Sequence, residues 1–75
     1  MKKSKLKNCW LVNVPHCKYG YSFSVCAEGY NELNIIDLCL NKSLFKNDDD
    51  AEIAFAEQMS EYDYAHLKDS IVFIE

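Results

Sequence analysis

The chain of 75 residues contains no arginine. Arginine supplies the planar fork that grips phosphate and guanine in bidentate fashion, so its absence argues against direct nucleic-acid reading. Glycine and proline are scarce, at two and one, beside an ordinary hydrophobic fraction of 49%. That combination argues against disorder. Two glycines also leave few places where bare backbone approaches a phosphate, and there is no Walker loop, GxSxG elbow or dinucleotide glycine fingerprint. The expectation is a non-enzyme with no cofactor. No apolar run approaches the ~20 residues that span a membrane. In the opening MKKSKLKNCWLVNVP the apolar part runs only from Cys9 to Val14 and is broken by Asn13, with no small-residue cleavage site after it. Residues 1–7 therefore read as a basic lead-in to a strand, and the protein as cytoplasmic.

What is present is a small single domain over residues 1–75 with its charge divided along the chain. Such a length buries only ~60% of the surface that its unfolded state exposes. Residues 1–46 carry seven lysines against Glu28, Glu32 and Asp37, a balance of +4. From residue 47 onward nine acids face Lys68 alone, a balance of −8.

Hydrophobic periodicity predicts the elements. In CWLVNV, Trp10, Val12 and Val14 alternate with Cys9, Leu11 and Asn13; in YSFSVCA, Tyr21, Phe23, Val25 and Ala27 alternate with Ser22, Ser24 and Cys26. Period-two alternation around PHCKYG predicts a hairpin. Opposed residues of an antiparallel pair share a sheet face, so the two apolar sets meet only if paired numbers sum to an odd value. A sum of 35 pairs Trp10 with Val25, leaves a six-residue loop, and sets Cys9 opposite Cys26 on the less apolar face. Gly29 closes this unit, and Asn31 is suited to cap a helix over ELNIIDLCLNKSLF of about three to four turns. The segment AEIAFAEQM is ambiguous. Its composition favours helix, while Ile53, Phe55 and Met59 share the parity of a strand, which is the reading adopted for 52–58. Ser60 and Asp63 then open a short helix over 61–69, and IVFIE reads as a last strand. The expected fold is α+β, a small mainly antiparallel sheet with one or two helices on one face, in the order ββαβαβ or, if 52–58 is helical, ββααβ.

Cys9, Cys17, Cys26 and Cys39 read as reduced thiols, the default without a secretory signal. A zinc module from Cys9, His16, Cys17 and Cys26 is the weaker alternative, because structural zinc uses close ligand pairs and the intervening stretches here are long. Paired as nucleophile and base, His16 and Cys17 would point to opposite sides of an extended backbone. Asp48, Asp50 and Glu52 imitate the start of a calcium loop, but the positions that need glycine and glutamate hold Ile53 and Met59. Metal ligands are therefore not assigned.

The runs NDDDAE and SEYDYAH make the remaining signal. A cap needs one side-chain oxygen, so three consecutive aspartates exceed what a boundary requires, and tyrosine gives contact area with a polar tip. Asp48, Asp49, Asp50, Glu52, Glu61, Tyr62, Asp63 and Tyr64 are the candidate partner-binding set, directed at a basic protein surface. At class level the small acidic chain, without catalytic motifs and with these two runs, resembles the proteins that phages and mobile elements use to block host defence, including anti-CRISPR proteins. No family motif is involved, and no functional residue is carried over. The resemblance implies an inhibitor that occludes the basic groove of a nucleic-acid-binding protein as a DNA mimic. A homodimeric assembly protein, paired through an exposed IVFIE edge, is the alternative.

Overall fold

The computed structural model describes residues 5–74, with side chains from residue 8 onward. Of the basic lead-in, residues 1–4 lie outside the described residues, and the backbone of residues 5–7 already belongs to the first strand. Strand β1 (Lys5–Val14) turns through Pro15–Gly20 into β2 (Tyr21–Cys26). The register sums to 35 at every pair, from Cys9 with Cys26 to Val14 with Tyr21. Within the loop, His16 Nδ1 accepts the backbone N–H groups of Lys18 and Tyr19, each at 3.1 Å. Gly20 donates its own N–H to the His16 carbonyl, and a Cβ there would stand 2.7 Å from that oxygen. Only glycine closes the loop without displacing backbone.

Helix α1 (Asn34–Asn41) is shorter than its periodicity predicts. Asn31 does prepare its start: Oδ1 accepts from the N–H groups of Leu33 and Asn34, both at 2.9 Å. The far end is set by Ser43, which adopts the left-handed conformation at φ 59°. Leu44 N–H then reaches the Cys39 carbonyl and Ser43 N–H the Leu40 carbonyl, the paired bonds of a Schellman stop. A 3-10 segment (Asp48–Glu52) follows, then β3 (Phe55–Ser60), helix α2 (Glu61–Leu67), a second 3-10 segment (Lys68–Ser70) and β4 (Ile71–Phe73). The fold class is α+β, in the order ββαβαβ. The strand expected over 52–58 starts at Phe55 and runs to Ser60.

The sheet order is β3-β1-β2-β4, with β1 antiparallel to both neighbours and β2 parallel to β4. The two connections α1 and α2 travel across this sheet in opposite directions, from β2 to β3 and from β3 to β4. A common right hand for both crossovers requires that they use opposite faces. The side chains agree. Trp10, Val12, Val14 and Val25 pack with Ile35, Leu38 and Cys39 of α1 and with Phe45. On the other face Cys9, Cys26 and Met59 pack with Leu11, Ile71 and the α2 residues Tyr64 and Leu67. The expected single helical face is thus covered by α1, and α2 closes a second, smaller core behind it.

That second core corrects the expectation of four reduced thiols: Cys9 and Cys26 form a disulfide. Ala27 N–H donates to the Asn8 carbonyl at 2.8 Å, which makes the adjacent Cys9–Cys26 position a non-hydrogen-bonded pair. Side chains approach most closely at such pairs, and here the Cα atoms are 4.0 Å apart. Of the two remaining thiols, Cys17 is exposed and Cys39 buried. Burial pushes the Cys39 thiol up from 9.0 to about 11.

Candidate functional site

The three aspartates of NDDDAE do not act alike. Asp50 turns inward, where its Oδ2 accepts the Tyr21 hydroxyl at 2.6 Å and the Asn47 N–H at 3.3 Å. Its own N–H donates to the Asn47 carbonyl at 3.0 Å, and its carbonyl accepts from Ile53 and Ala54. The Tyr21 oxygen in turn accepts the Lys46 N–H at 2.9 Å, while Lys46 Nζ lies 4.7 Å above the tyrosine ring. Desolvation, and then the bond to Asp50, raise the Tyr21 phenol above its ordinary value. This network fastens the 3-10 segment to the turn end of the hairpin. Asp48, Asp49 and Glu52 are left exposed on a backbone whose shape is held from beneath.

Next in the chain after these acids come two exposed apolar side chains that periodicity did not mark as surface. Ile53 and Phe55 are 44% and 46% exposed. Their shared parity suggests burial, but β3 begins only at Phe55, and Ala56 and Met59 are its buried residues. Alternation along β3 is intact: Ala56 opposes Val12 on the α1 face, whereas Phe55 opposes Asn13 on the Leu11 face, four residues along the strand from Met59, which the second core buries.

The second run is built differently. Ser60 caps α2: its hydroxyl accepts the Asp63 N–H at 3.1 Å, and the Asp63 carboxylate accepts the Ser60 N–H at 3.5 Å. Asp63 is therefore a capping residue, and Tyr64 is packed on the second core. Glu61 and Tyr62 remain exposed, Tyr62 at 67% and 4.1 Å from the ring of His66. Six residues of β3, about 20 Å of extended chain, stand between the two acidic runs. One run adjoins the α1 face and the other the α2 face. Of the eight candidate residues, Asp48, Asp49 and Glu52 are brought together; Glu61 and Tyr62 form a separate group at the far end of the strand.

Metal chemistry finds no support here. The sulfurs of Cys9 and Cys26 are joined to each other, and among the described residues no group of three or more His, Cys, Asp or Glu side chains is placed to hold an ion. No helix among the described residues is long and apolar enough to cross a membrane. No protein-family model, curated protein or solved structure matches the chain.

Proposed function

We propose that the protein is a non-enzymatic binding protein, an inhibitor or regulator that docks its acidic turn on a basic protein surface. The observation that carries this reading is the division of labour within one turn. Asp50 anchors inward on Tyr21, while Asp48, Asp49 and Glu52 are exposed, and the exposed Ile53 and Phe55 follow them in the chain. A charged cluster that is already fixed loses little conformational freedom on binding, and an apolar centre within a polar rim is the usual anatomy of a protein contact. The class of partner suggested by the resemblance is a nucleic-acid-binding protein of a host defence system, its basic groove blocked by acids that stand in for phosphates. That setting is cytoplasmic, where thiol reductants act on disulfides. The Cys9–Cys26 bond lies at the opposite end of the hairpin from Tyr21, so the anchor of the acidic turn does not depend on it.

The test begins with affinity capture from the source cell and continues with binding kinetics on the captured partner. Asp48→Asn/Asp49→Asn/Glu52→Gln should slow association, and 1 M salt should do the same to the wild type, because the Debye length falls from ~10 Å at 0.1 M to ~3 Å. Phe55→Ala should mainly hasten dissociation. Equal association rates for wild type and triple variant, with no salt dependence, would remove the basis of the proposal.

An alternative reading is a homodimer joined through β4. Its favouring observation is an open edge of three residues on which Phe73 is 63% exposed, beside a cavity of about 620 Å³ that Tyr30, Phe73 and Ile74 help to line. Light scattering coupled to size exclusion separates the two readings directly.

A further inference from the structure

The chain holds two histidines, and the structure gives them opposite bonds. His16 Nδ1 accepts two backbone N–H groups, those of Lys18 and Tyr19, each at 3.1 Å. A ring nitrogen that accepts carries no proton, so the His16 imidazole is neutral, with its hydrogen on Nε2. His66 Nδ1 lies 2.9 Å from the Tyr62 carbonyl oxygen. A carbonyl oxygen only accepts, so there the same nitrogen carries the proton and donates it. Protonation of the two rings therefore has different consequences. It leaves the His66 bond in place, whereas at His16 a hydrogen on Nδ1 removes both acceptor bonds at once.

Asn31 supplies the comparison within the same fold. Its Oδ1 accepts the N–H groups of Leu33 and Asn34, the residues two and three ahead, both at 2.9 Å. His16 binds the residues two and three ahead in the same way, with Nδ1 in place of Oδ1, each atom being bonded directly to Cγ. Turns of this kind are the ordinary work of Asn and Asp. An amide does not titrate, whereas imidazole changes charge between roughly pH 5 and 8. The titratable groups beside the ring are Cys17, Lys18 and Tyr19 of its own exposed loop, the Tyr19 ring at 5.2 Å, and, beyond Gly20, the Tyr21–Asp50 pair with Lys46. Among these side-chain types only imidazole has its ordinary midpoint in that window.

We propose that His16 is a pH-operated latch on the tip of the hairpin: neutral, it folds Cys17–Tyr19 over its Nδ1, and protonated, it releases them. The bonds are present at the upper end of the imidazole range and are lost as pH falls through it. Backbone bonds confine the change. His16 N–H donates to the Val14 carbonyl at 2.9 Å and Gly20 N–H to the His16 carbonyl at 3.1 Å, and neither involves the ring. The strands thus stay closed while the apex is freed, with Lys18 and the 71% exposed Tyr19. A fixed side chain loses less freedom on binding than a loose one, so the latch favours contacts through Tyr19 near neutral pH. It does not rest on the acidic turn, whose anchor Tyr21 lies on the strand side of Gly20.

Titration of the full chain from about pH 8 to 5, followed by NMR, tests the latch. The Lys18 and Tyr19 amide protons should move upfield together, with the same midpoint as the carbon-bound ring protons of His16. The Leu33 and Asn34 amides, held by Asn31, should move far less. At the upper end the ring nitrogens should show the hydrogen on Nε2 in His16 and on Nδ1 in His66. His16 is exposed, so His16→Asn is a surface substitution, and it keeps an acceptor at the same place on the side chain. Its Lys18 and Tyr19 amides should hold one position across the range. At the acidic end those amides should exchange about fivefold faster in the wild type than in His16→Asn, the worth of one typical hydrogen bond. His66→Asn should leave the titration of the tip as it is. A hydrogen on Nδ1 of His16 at the upper end, tip amides that ignore the His16 midpoint, or the same titration in His16→Asn as in the wild type would each overturn the proposal.

Discussion

Tyr21→Phe removes a single oxygen atom and is the sharpest test of how the acidic turn is held. The ring stays, and with it the packing on Phe23 and the position beneath Lys46 Nζ. What is lost is the donor to Asp50 at 2.6 Å and the acceptor for Lys46 N–H at 2.9 Å. Lys46 is exposed, so its N–H regains a water partner at little cost. Asp50 keeps the Asn47 N–H but loses its shorter bond. Hydrogen bonds to charged groups contribute about 1.5–3 kcal/mol; for a half-buried pair the lower part of that range applies, about 1.5–2 kcal/mol. In a domain of this size such a loss lowers the melting temperature by roughly 6–16 °C. Urea unfolding should show a lower midpoint at unchanged slope, the signature of lost stability without a change in exposed area. Combined with Asp50→Ala in a double-mutant cycle, the pair should show a coupling of about 1 kcal/mol or more. If Tyr21→Phe unfolds with the wild type, or if the two costs simply add, the hydroxyl does not anchor the turn.

Three further expectations follow from the fold. The oxidised protein should present two reactive thiols after denaturation rather than four; reduction should cost about 3 kcal/mol, the loop-closure value for a bond across a separation of 17 residues, and Cys9→Ser/Cys26→Ser should make the unfolding midpoint insensitive to reductant. Cys39 keeps its proton in the folded state up to about pH 11 but only to 9.0 when unfolded, so its contribution is complete below pH 9 and is lost as pH rises, by a few kcal/mol at about 1.4 kcal/mol per pH unit. Alkaline denaturation curves of wild type and Cys39→Val should diverge across that window. Ser43→Gly should raise stability by about 1 kcal/mol, because glycine occupies φ 59° without the steric penalty of a side chain, and a lower melting point would show the Schellman stop to be misjudged.

The hairpin was legible in the residues because period-two alternation and loop length leave one good register, and every pair from Cys9–Cys26 to Val14–Tyr21 follows it. The Ser60 and Asp63 cap of α2 was legible for a similar reason: both partners lie within one turn. Features decided at long range were not. The inward role of Asp50 depends on Tyr21, 29 residues away, and no local pattern marks one aspartate of three. The exposure of Phe55 depends on how far along β3 the second core extends, for Met59 on the same face is buried, and no local pattern states that limit. Serine is not the residue expected at a left-handed helix stop, so no local signal marks the end of α1 at Asn41. The opposition of Cys9 and Cys26 follows from the register, but whether two opposed thiols are oxidised depends on the compartment, which the residues do not state. The acidic runs were visible as composition, but which acids remain available is settled by caps and by Tyr21.

The pairing distances in the sheet also imply an order of assembly. Opposed residues of β1 and β2 are 7 to 17 positions apart, whereas β2 and β4 meet only across 47. Closing the longer loop costs more entropy, and the strand it delivers is three residues long and pairs in the weaker parallel sense. The hairpin therefore forms early and β4 docks late. Detachment should run in reverse, with β4 as the first unit to open below the global unfolding transition. In native-state hydrogen exchange the Ile74 amide, bonded to the Cys26 carbonyl, should exchange well before the Ala27 amide, bonded to the Asn8 carbonyl. Each such opening uncovers Ile71 and, behind it, the Tyr64 and Leu67 side of the second core, which gives this small molecule a partly open form without loss of its central hairpin.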